Sequence, residues 1–133
     1  FYRSNWMGDI GHLIRGVALE LQWGSMYELR HYESAEGEDL FALWLERLRD
    51  RHAQARVAAR IIRLQNGNFG DCKPVGDGVW ELRVDWGPGY RVYYAIEAKR
   101  VVLLCDGGDK RTQEQDIRRA IGRWTEWQKR SMK

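Results

Sequence analysis

The stretch that most constrains the fold is "ELRVDWGPGYRVYYA", residues 81–95, in which two runs of strand-forming residues flank a Gly-Pro-Gly turn. Such runs around a short turn are typical of a β-hairpin. Successive side chains of a strand point to opposite faces, so one face is predicted to be apolar. Its members are Leu82, Val84, Tyr90, Val92 and Tyr94. The other face would carry Glu81, Arg83, Asp85, Arg91, Tyr93 and Ala95. That is more charge than a solvated sheet face needs.

The rest of the chain predicts an α+β domain with the element order β-α-α-β-β-β-α. "YELRHY" at residues 27–32 alternates like a strand, and "RVVLLCDGG" at 100–108 has the composition of a buried strand. Helical periodicity is found at residues 38–50, 54–67 and 112–130, whereas residues 68–78 are expected to form a loop. We therefore expect a small antiparallel or mixed sheet with the helices packed on one face.

Each predicted helix has an apolar stripe that would face the sheet. The first carries Phe41, Trp44, Leu45 and Leu48, the second Val57, Ile61 and Leu64, and the third Ile117, Ala120, Ile121, Trp124 and Trp127. Thr112 and Gln115 have the spacing of a capping box at the start of the third helix. A second stripe on the middle helix, formed by Arg56, Arg60 and Arg63, is expected to be a solvated face.

The chain has 133 residues, which suits one domain. It begins with Phe1, and "GSM" at residues 24–26 resembles a cloning junction. We therefore expect residues 1–25 to be an upstream or cloning-derived extension that is dispensable, and residues 26–133 to be the functional domain. The helical spacing within residues 10–21 leaves open that this segment belongs to the core.

Several classes of protein are disfavoured by composition. No apolar run is long enough for a membrane-spanning helix. Cys72 and Cys105 form no CxxC motif, and the three histidines are scattered, so no metal or cofactor site is predicted. A reduced, cytoplasmic location is the expected one.

The net charge of +3 comes entirely from residues 71–133, a bias that suits contact with phosphate. Arg83, Arg91, Lys110 and Arg111 could converge on a phosphate near the start of the last helix. Lys73, Trp86 and Tyr93 are candidate RNA-binding residues, the two aromatic rings by stacking on bases. Alternatively, the hairpin arginines pair with Glu81 and Asp85, and "GGDKRTQ" is only a capped turn.

Four segments together resemble one family of bacterial toxins. They are "MYELRHYES", "LWLERLRDRHAQARVAARI", "GNFGDCKPVGDGVWELRVDWGPGYRVYYA" and "VVLLCDGGDKRTQEQDIRRAI". The combination "WELR…GPGYRVYY…GGDKRTQ" is similar in order and spacing to the RelE/ParE superfamily of type II toxin–antitoxin systems. Within it, the chain most resembles the HigB-like addiction module killer proteins, over residues 26 to about 129.

The resemblance implies a metal-independent mRNA endoribonuclease that acts on translated message at the ribosome, together with a cognate helix-turn-helix antitoxin. Arg91 and Arg111 match family arginines that stabilise the scissile phosphate, Lys110 adjoins the second, and Arg83 matches the position of a catalytic lysine. Glu81 stands where a relative has another lysine, and it is a candidate base. The late catalytic tyrosine or histidine of some relatives has no counterpart in "QEQDIRR".

Two other functions remain open at this stage. One is poisoning of DNA gyrase, the protein-binding activity of the ParE side of the superfamily. The other is RNA or protein binding by a relative that has lost catalysis, which the departure at Glu81 leaves open. Cleaved messages with translation arrest would indicate the nuclease, whereas DNA breaks with an SOS response would indicate the gyrase poison.

Overall fold

The structure, a computed structural model, describes residues 26–131. The expected extension, residues 1–25, lies outside the described residues, and so do residues 132 and 133. The strands are β1 (Glu28–His31), β2 (Cys72–Gly76), β3 (Val79–Val84), β4 (Tyr90–Glu97) and β5 (Val101–Asp109). The helices are α1 (Leu40–Glu46), α2 (Arg51–Gln65) and α3 (Gln113–Ser131), with a 3-10 turn (Lys110–Thr112) directly before α3.

The predicted hairpin is β3–β4, and its register sets the rest of the sheet. Leu82 lies opposite Val92, and Arg83 lies opposite Arg91. The five strands are in the order β1-β5-β4-β3-β2, with β1 parallel to β5 and the other pairs antiparallel. The prediction of an α+β fold with a small mixed sheet is confirmed.

The loop predicted at residues 68–78 is wrong in part, because it contains β2. This strand pairs with β3, and its register shifts between Pro74 and Gly76. Proline and glycine made the segment look like a loop in sequence. An edge strand has a partner on one side only, so a proline whose nitrogen faces the open side removes no hydrogen bond of the sheet. A bulge accommodates the shift in register. The order of elements is therefore β-α-α-β-β-β-β-α among the described residues.

The helices pack on both faces of the sheet, so the expectation of a single covered face is corrected. Helices α1 and α2 cover the face that carries Leu82, Val92 and Leu104. Helix α3 covers the opposite face through Ala120, Trp124 and Trp127. A strand that is buried on both faces is a continuous apolar run and does not alternate with polar residues. The segment "VVLLC" in β5 is such a run. The predicted apolar stripe of α2 is confirmed, since Val57, Ile61 and Leu64 are fully buried.

An irregularity in β5 fixes the start of α3. Tyr94 pairs with Leu104 and Tyr93 with Asp106, so Cys105 is an extra residue of the bulge type. Asp106 therefore faces α3, where it accepts hydrogen bonds from Arg119 Nε at 2.8 Å and from Arg123 Nη1 at 3.2 Å. The bulge and these two bonds attach the first turns of α3 to the centre of the sheet.

The two glycines after the bulge allow close approach of a helix on each face. A Cβ atom at Gly107 would overlap the Trp44 ring of α1, and one at Gly108 would overlap the Asp116 carboxylate of α3.

The start of α3 differs from the predicted capping box. Asp109 accepts from the Arg111 backbone N–H at 2.9 Å, while Thr112 Oγ1 donates to Asp116 Oδ2 at 2.6 Å.

Candidate functional site

Strands β2, β3 and β4 bring basic side chains to the face of the sheet that α3 covers, next to the start of that helix. Lys73 of β2 lies opposite Glu81 of β3, and Arg83 of β3 lies opposite Arg91 of β4. The three cations, Lys73, Arg83 and Arg91, are called the basic cluster below. Two arginines directly opposite each other repel, so the pairing needs a compensating negative charge. Glu81 supplies it.

Glu81 lies at the centre of the cluster and is 0% exposed. Its Oε1 lies 3.3 Å from Arg83 Nε and 3.9 Å from Lys73 Nζ. Its Oε2 accepts from Gln113 Nε2 at 2.7 Å and from Tyr93 Oη at 3.1 Å. A buried carboxylate needs such partners to offset its desolvation. Glu81 therefore holds the cations in place from beneath and presents no oxygen to solvent.

Arg91 is held by charge more than by hydrogen bonds. Its Nε lies 3.6 Å from Glu81 Oε2, too far for a hydrogen bond, and is a buried nitrogen without a hydrogen-bond partner among the described residues. Nη1 makes a long contact of 3.4 Å to the Gly89 carbonyl. The side chain is 11% exposed. Most of its five N–H donors are thus not committed to the protein.

A cleft of about 360 Å³ opens over this face, and we refer to it as the hairpin cleft. Arg83, Arg91 and Lys110 line it, together with the turn residues 87–89. The Lys110 backbone N–H donates to the Gly89 carbonyl at 3.0 Å, which ties the 3-10 turn to the hairpin turn. Three predicted site residues from three elements therefore share one cleft.

Tyr93 lies under the cluster and not on its surface. The ring is 0% exposed, and its hydroxyl donates to Glu81. Burial, followed by the negative charge of Glu81, raises the pKa of Tyr93 well above its usual range. A buried ring cannot stack on a base, so its place in the site is to position Glu81.

Trp86 lies on the other face of the sheet, against the core that α1 and α2 cover. Its indole Nε1–H donates to Asp50 Oδ2 at 2.9 Å, and the Arg56 guanidinium lies 4.0 Å from its ring centroid. The hydrogen bond from Trp86 is the main reason that the pKa of Asp50 is lowered. The structure does not bring Trp86 into the hairpin cleft.

Arg111 is paired with Asp109 and does not line the hairpin cleft. Its Nη2 lies 2.8 Å from Asp109 Oδ2, and the side chain is 80% exposed. The hydrogen bonds from Arg111 are the largest cause of a lowered pKa of Asp109. Of the two residues in "KR", Lys110 is therefore the one that lines the hairpin cleft.

The sequence interpretation gave no role to two polar residues around the site, Gln113 and Asp71, and it considered Asp85 only as an ion-pair partner of the arginines. Gln113 donates to Glu81, and Asp71 and Asp85 line the hairpin cleft. Asp71 also accepts the Arg83 backbone N–H through its carbonyl at 2.9 Å. The sequence predicts a loop for the segment that contains Asp71, and a loop prediction gives no register with β3. Asp71 and Asp85 are the carboxylates that line this cleft.

Among residues 26–131, no group of three or more His, Cys, Asp or Glu side chains is arranged to hold a metal ion. Within the same residues, no helix has the length and apolarity to span a membrane.

Comparison with known proteins identifies related chains. Residues 44–125 match the family described as "Phage derived protein Gp49-like (DUF891)". A protein of Haemophilus influenzae is 52% identical over 80 residues, which are 60% of this chain and 81% of the relative. That relative is itself described only as an uncharacterized protein. The family match covers α2, all of β2–β5 and most of α3, and hence the whole basic cluster.

Proposed function

The chain belongs to the Gp49-like family of phage-derived proteins, a toxin-like addiction module family, and from that premise we propose that it is the toxin of a type II toxin–antitoxin system. We assign it to the HigB-like branch. Its activity is metal-independent cleavage of mRNA in the cytoplasm, on messages that are being translated by the ribosome. Its partner is a small helix-turn-helix antitoxin.

The observation that carries the nuclease proposal is the hairpin cleft with Arg83, Arg91 and Lys110 on its walls. Guanidinium groups offer forked donors to phosphate oxygens, and an ammonium adds a point charge. Glu81 and Tyr93 hold the arginines from below, so the donors are fixed before substrate arrives. Preorganised cations that face developing negative charge are commonly the largest contribution to catalysis of this kind.

The proposed reaction is transesterification within the RNA strand. The 2′-oxygen attacks the adjacent phosphorus, and the bond between phosphorus and the 5′-oxygen of the next nucleotide breaks. The products are a 2′,3′-cyclic phosphate and a free 5′-hydroxyl. One proton leaves the 2′-hydroxyl and one is delivered to the 5′-oxygen. Arg83 and Arg91 bind the non-bridging oxygens, and Lys110 neutralises charge at the cleft mouth.

Proton transfer is assigned to different groups from those expected from sequence. Glu81 is covered by its partners and therefore acts as a positioning residue in this proposal. Asp71 and Asp85 line the cleft, and we assign removal of the 2′-hydroxyl proton to one of them. General base assistance of this type contributes about 10²–10⁴-fold to rate.

Lys110→Ala tests the proposal, because Lys110 is exposed, lines the hairpin cleft and belongs to neither hydrophobic core cluster. Lys129→Ala, at another exposed lysine, is the matched control. After induction in cells, message cleavage should fall by about 10²-fold in the first variant and remain unchanged in the second. Growth arrest with intact messages and with DNA breaks would overturn the nuclease proposal and indicate gyrase poisoning.

A further inference from the structure

A second groove of about 420 Å³ runs along α2 and meets the hairpin cleft. Its walls include Arg56, Arg60 and Arg63 of α2 and Arg83 of β3. We propose that this arginine groove binds the sugar-phosphate backbone of single-stranded RNA on its way to or from the basic cluster. The inference rests on the proposed nuclease function and adds a substrate subsite to it.

The spacing of the three α2 arginines suits an extended polyanion. They occupy positions i, i+4 and i+7, which lie on one helix face and span about 10 Å along the axis. Sequence alone suggested that this stripe is merely solvated. The structure instead places it along the wall of a groove, opposite the end of β3.

The guanidinium groups of the stripe are available to a ligand. None of the three forms an ion pair with a carboxylate in the part of the chain that the structure describes. Arg60 donates from Nη2 to the Phe69 carbonyl at 3.2 Å and also interacts with Cys72, and the Arg56 guanidinium lies over the Trp86 ring. Arg63 is exposed. Four arginines face two carboxylates, those of Asp71 and Asp85, so the groove is net positive.

The arginine groove is continuous with the hairpin cleft, and this continuity is the reason for proposing RNA as its ligand. Asp71, Arg83, Val84 and Asp85 border both cavities, so a chain held at the cluster leads directly into the groove. A polynucleotide carries one phosphate per residue and would meet forked donors in both places. An acidic peptide would satisfy the groove but would have no reason to continue into a cleft built for phosphate.

Binding of a single-stranded oligodeoxynucleotide of about ten nucleotides tests the proposal. The absent 2′-hydroxyl prevents the proposed cleavage, so binding is measured without reaction. Arg63→Glu should weaken binding about tenfold at low salt, because one phosphate contact becomes repulsive. Arg118→Glu, at an exposed arginine of α3 outside both cavities, is the control and should change affinity less than twofold. Binding of a dinucleotide, which reaches only the cluster, should be equal in both variants.

The salt dependence gives a second reading. Arg63→Ala should reduce the slope of log affinity against log salt by about 0.7, the value for one phosphate on a single strand. Equal affinities of Arg63→Glu and Arg118→Glu for the longer strand would overturn the subsite, while the Lys110→Ala result would still decide the nuclease proposal separately. Tight binding of oligoglutamate that Arg63→Glu abolishes, without binding of the oligonucleotide, would also overturn it and indicate a protein partner.

Discussion

Glu81 explains why one hairpin carries so much charge on a single face. In sequence it is an acid among arginines, which fits both a catalytic base and a surface ion pair. In the structure it is fully buried beneath Arg83, Arg91 and Lys73. The ion-pair interpretation and the phosphate interpretation are therefore compatible, because the pairs orient Arg83 and Arg91, and both of these side chains also line the hairpin cleft.

Glu81→Gln should lower the stability of the fold and the cleavage rate together. The amide keeps the shape of the side chain but removes the negative charge that offsets the repulsion between Arg83 and Arg91. The expected loss in the free energy of unfolding is about 1–3 kcal/mol, measured by urea denaturation. An unchanged denaturation midpoint would contradict the buried role assigned to Glu81.

Arg91→Ala and Arg91→Lys should separate binding of phosphate from stability. Alanine leaves Glu81 with one cation fewer, so it should cost about 1–3 kcal/mol, more than the ~0.5 kcal/mol of an ordinary surface change. Lysine retains the charge and should melt near the parent protein. Both should reduce cleavage, alanine by about 10²–10³-fold and lysine by less. Thermal melting and message cleavage are measured on the same samples.

Full cleavage by Arg91→Lys and by Arg91→Ala would remove Arg91 from the proposed site. Because both variants are scored for melting as well, a loss of cleavage through unfolding is distinguished from a loss of phosphate contact.

At the scale of elements, the contact between β5 and α3 positions the whole site. Asp106 and Asp116 both pair with Arg119, at 2.8 and 2.6 Å, and the bulge at Cys105 turns Asp106 toward the helix. The same helix contributes Gln113 to Glu81, and the turn that precedes it contributes Lys110 to the cleft. A shift of α3 would therefore move groups on two sides of the cluster.

Two glycine substitutions test this attachment. Gly108→Ala places a Cβ against the buried Asp116 carboxylate, so that side chain or α3 itself must shift, at a cost of about 1–3 kcal/mol. Gly122→Ala has nothing within 4 Å of the added Cβ and should stabilise the protein by up to about 1 kcal/mol through helix propensity. Differential scanning calorimetry measures both. Equal melting temperatures for the two variants would argue against a tight contact at Gly108.

At the scale of the molecule, the ionised carboxylates determine how stability depends on pH. Hydrogen bonds from Trp86, Arg111 and Arg130 are the largest causes of lowered pKa values at Asp50, Asp109 and Glu126. Below their ordinary values of 3.8 and 4.5, the unfolded chain takes up protons that the folded chain does not. Their stabilisation is thus present above these values and lost as pH falls through the folded pKa values. The Asp106 carboxyl has the opposite effect. Burial raises its pKa, so its contribution to the free energy of unfolding decreases as pH rises.

Asp109→Asn should therefore weaken the acid sensitivity of the fold. The difference in melting temperature between neutral pH and a pH below 3.8 should shrink relative to the parent protein. Arg111→Ala, which removes the donor, should have the same effect. A melting profile for Asp109→Asn that parallels the parent at every pH would refute the link.

Local sequence patterns predicted most of the helices and strands, because the spacing of apolar residues along the chain matches the period of the element that buries them. The hairpin, the stripe of Val57, Ile61 and Leu64, and the apolar face of α3 follow from periodicity alone. Edge strand β2 was missed because Pro74 and the surrounding glycines are compatible with either a loop or an irregular edge. Only pairing with β3 distinguishes the two.

The sequence by itself determined which residues could form a phosphate site: Arg83 and Arg91 follow from residue type and strand alternation, and Lys110 and Arg111 from their place between the last strand and the last helix. Tertiary structure alone decided which of the candidates meet. It buried Tyr93 and Glu81, turned Arg111 toward Asp109, and set Trp86 on the opposite face. The physical reason is that alternation fixes the face of a side chain, whereas its depth and partners depend on what packs over that face. Here that is α3, whose position depends on a bulge in β5 and on the close contact at Gly108, neither of which a local pattern encodes.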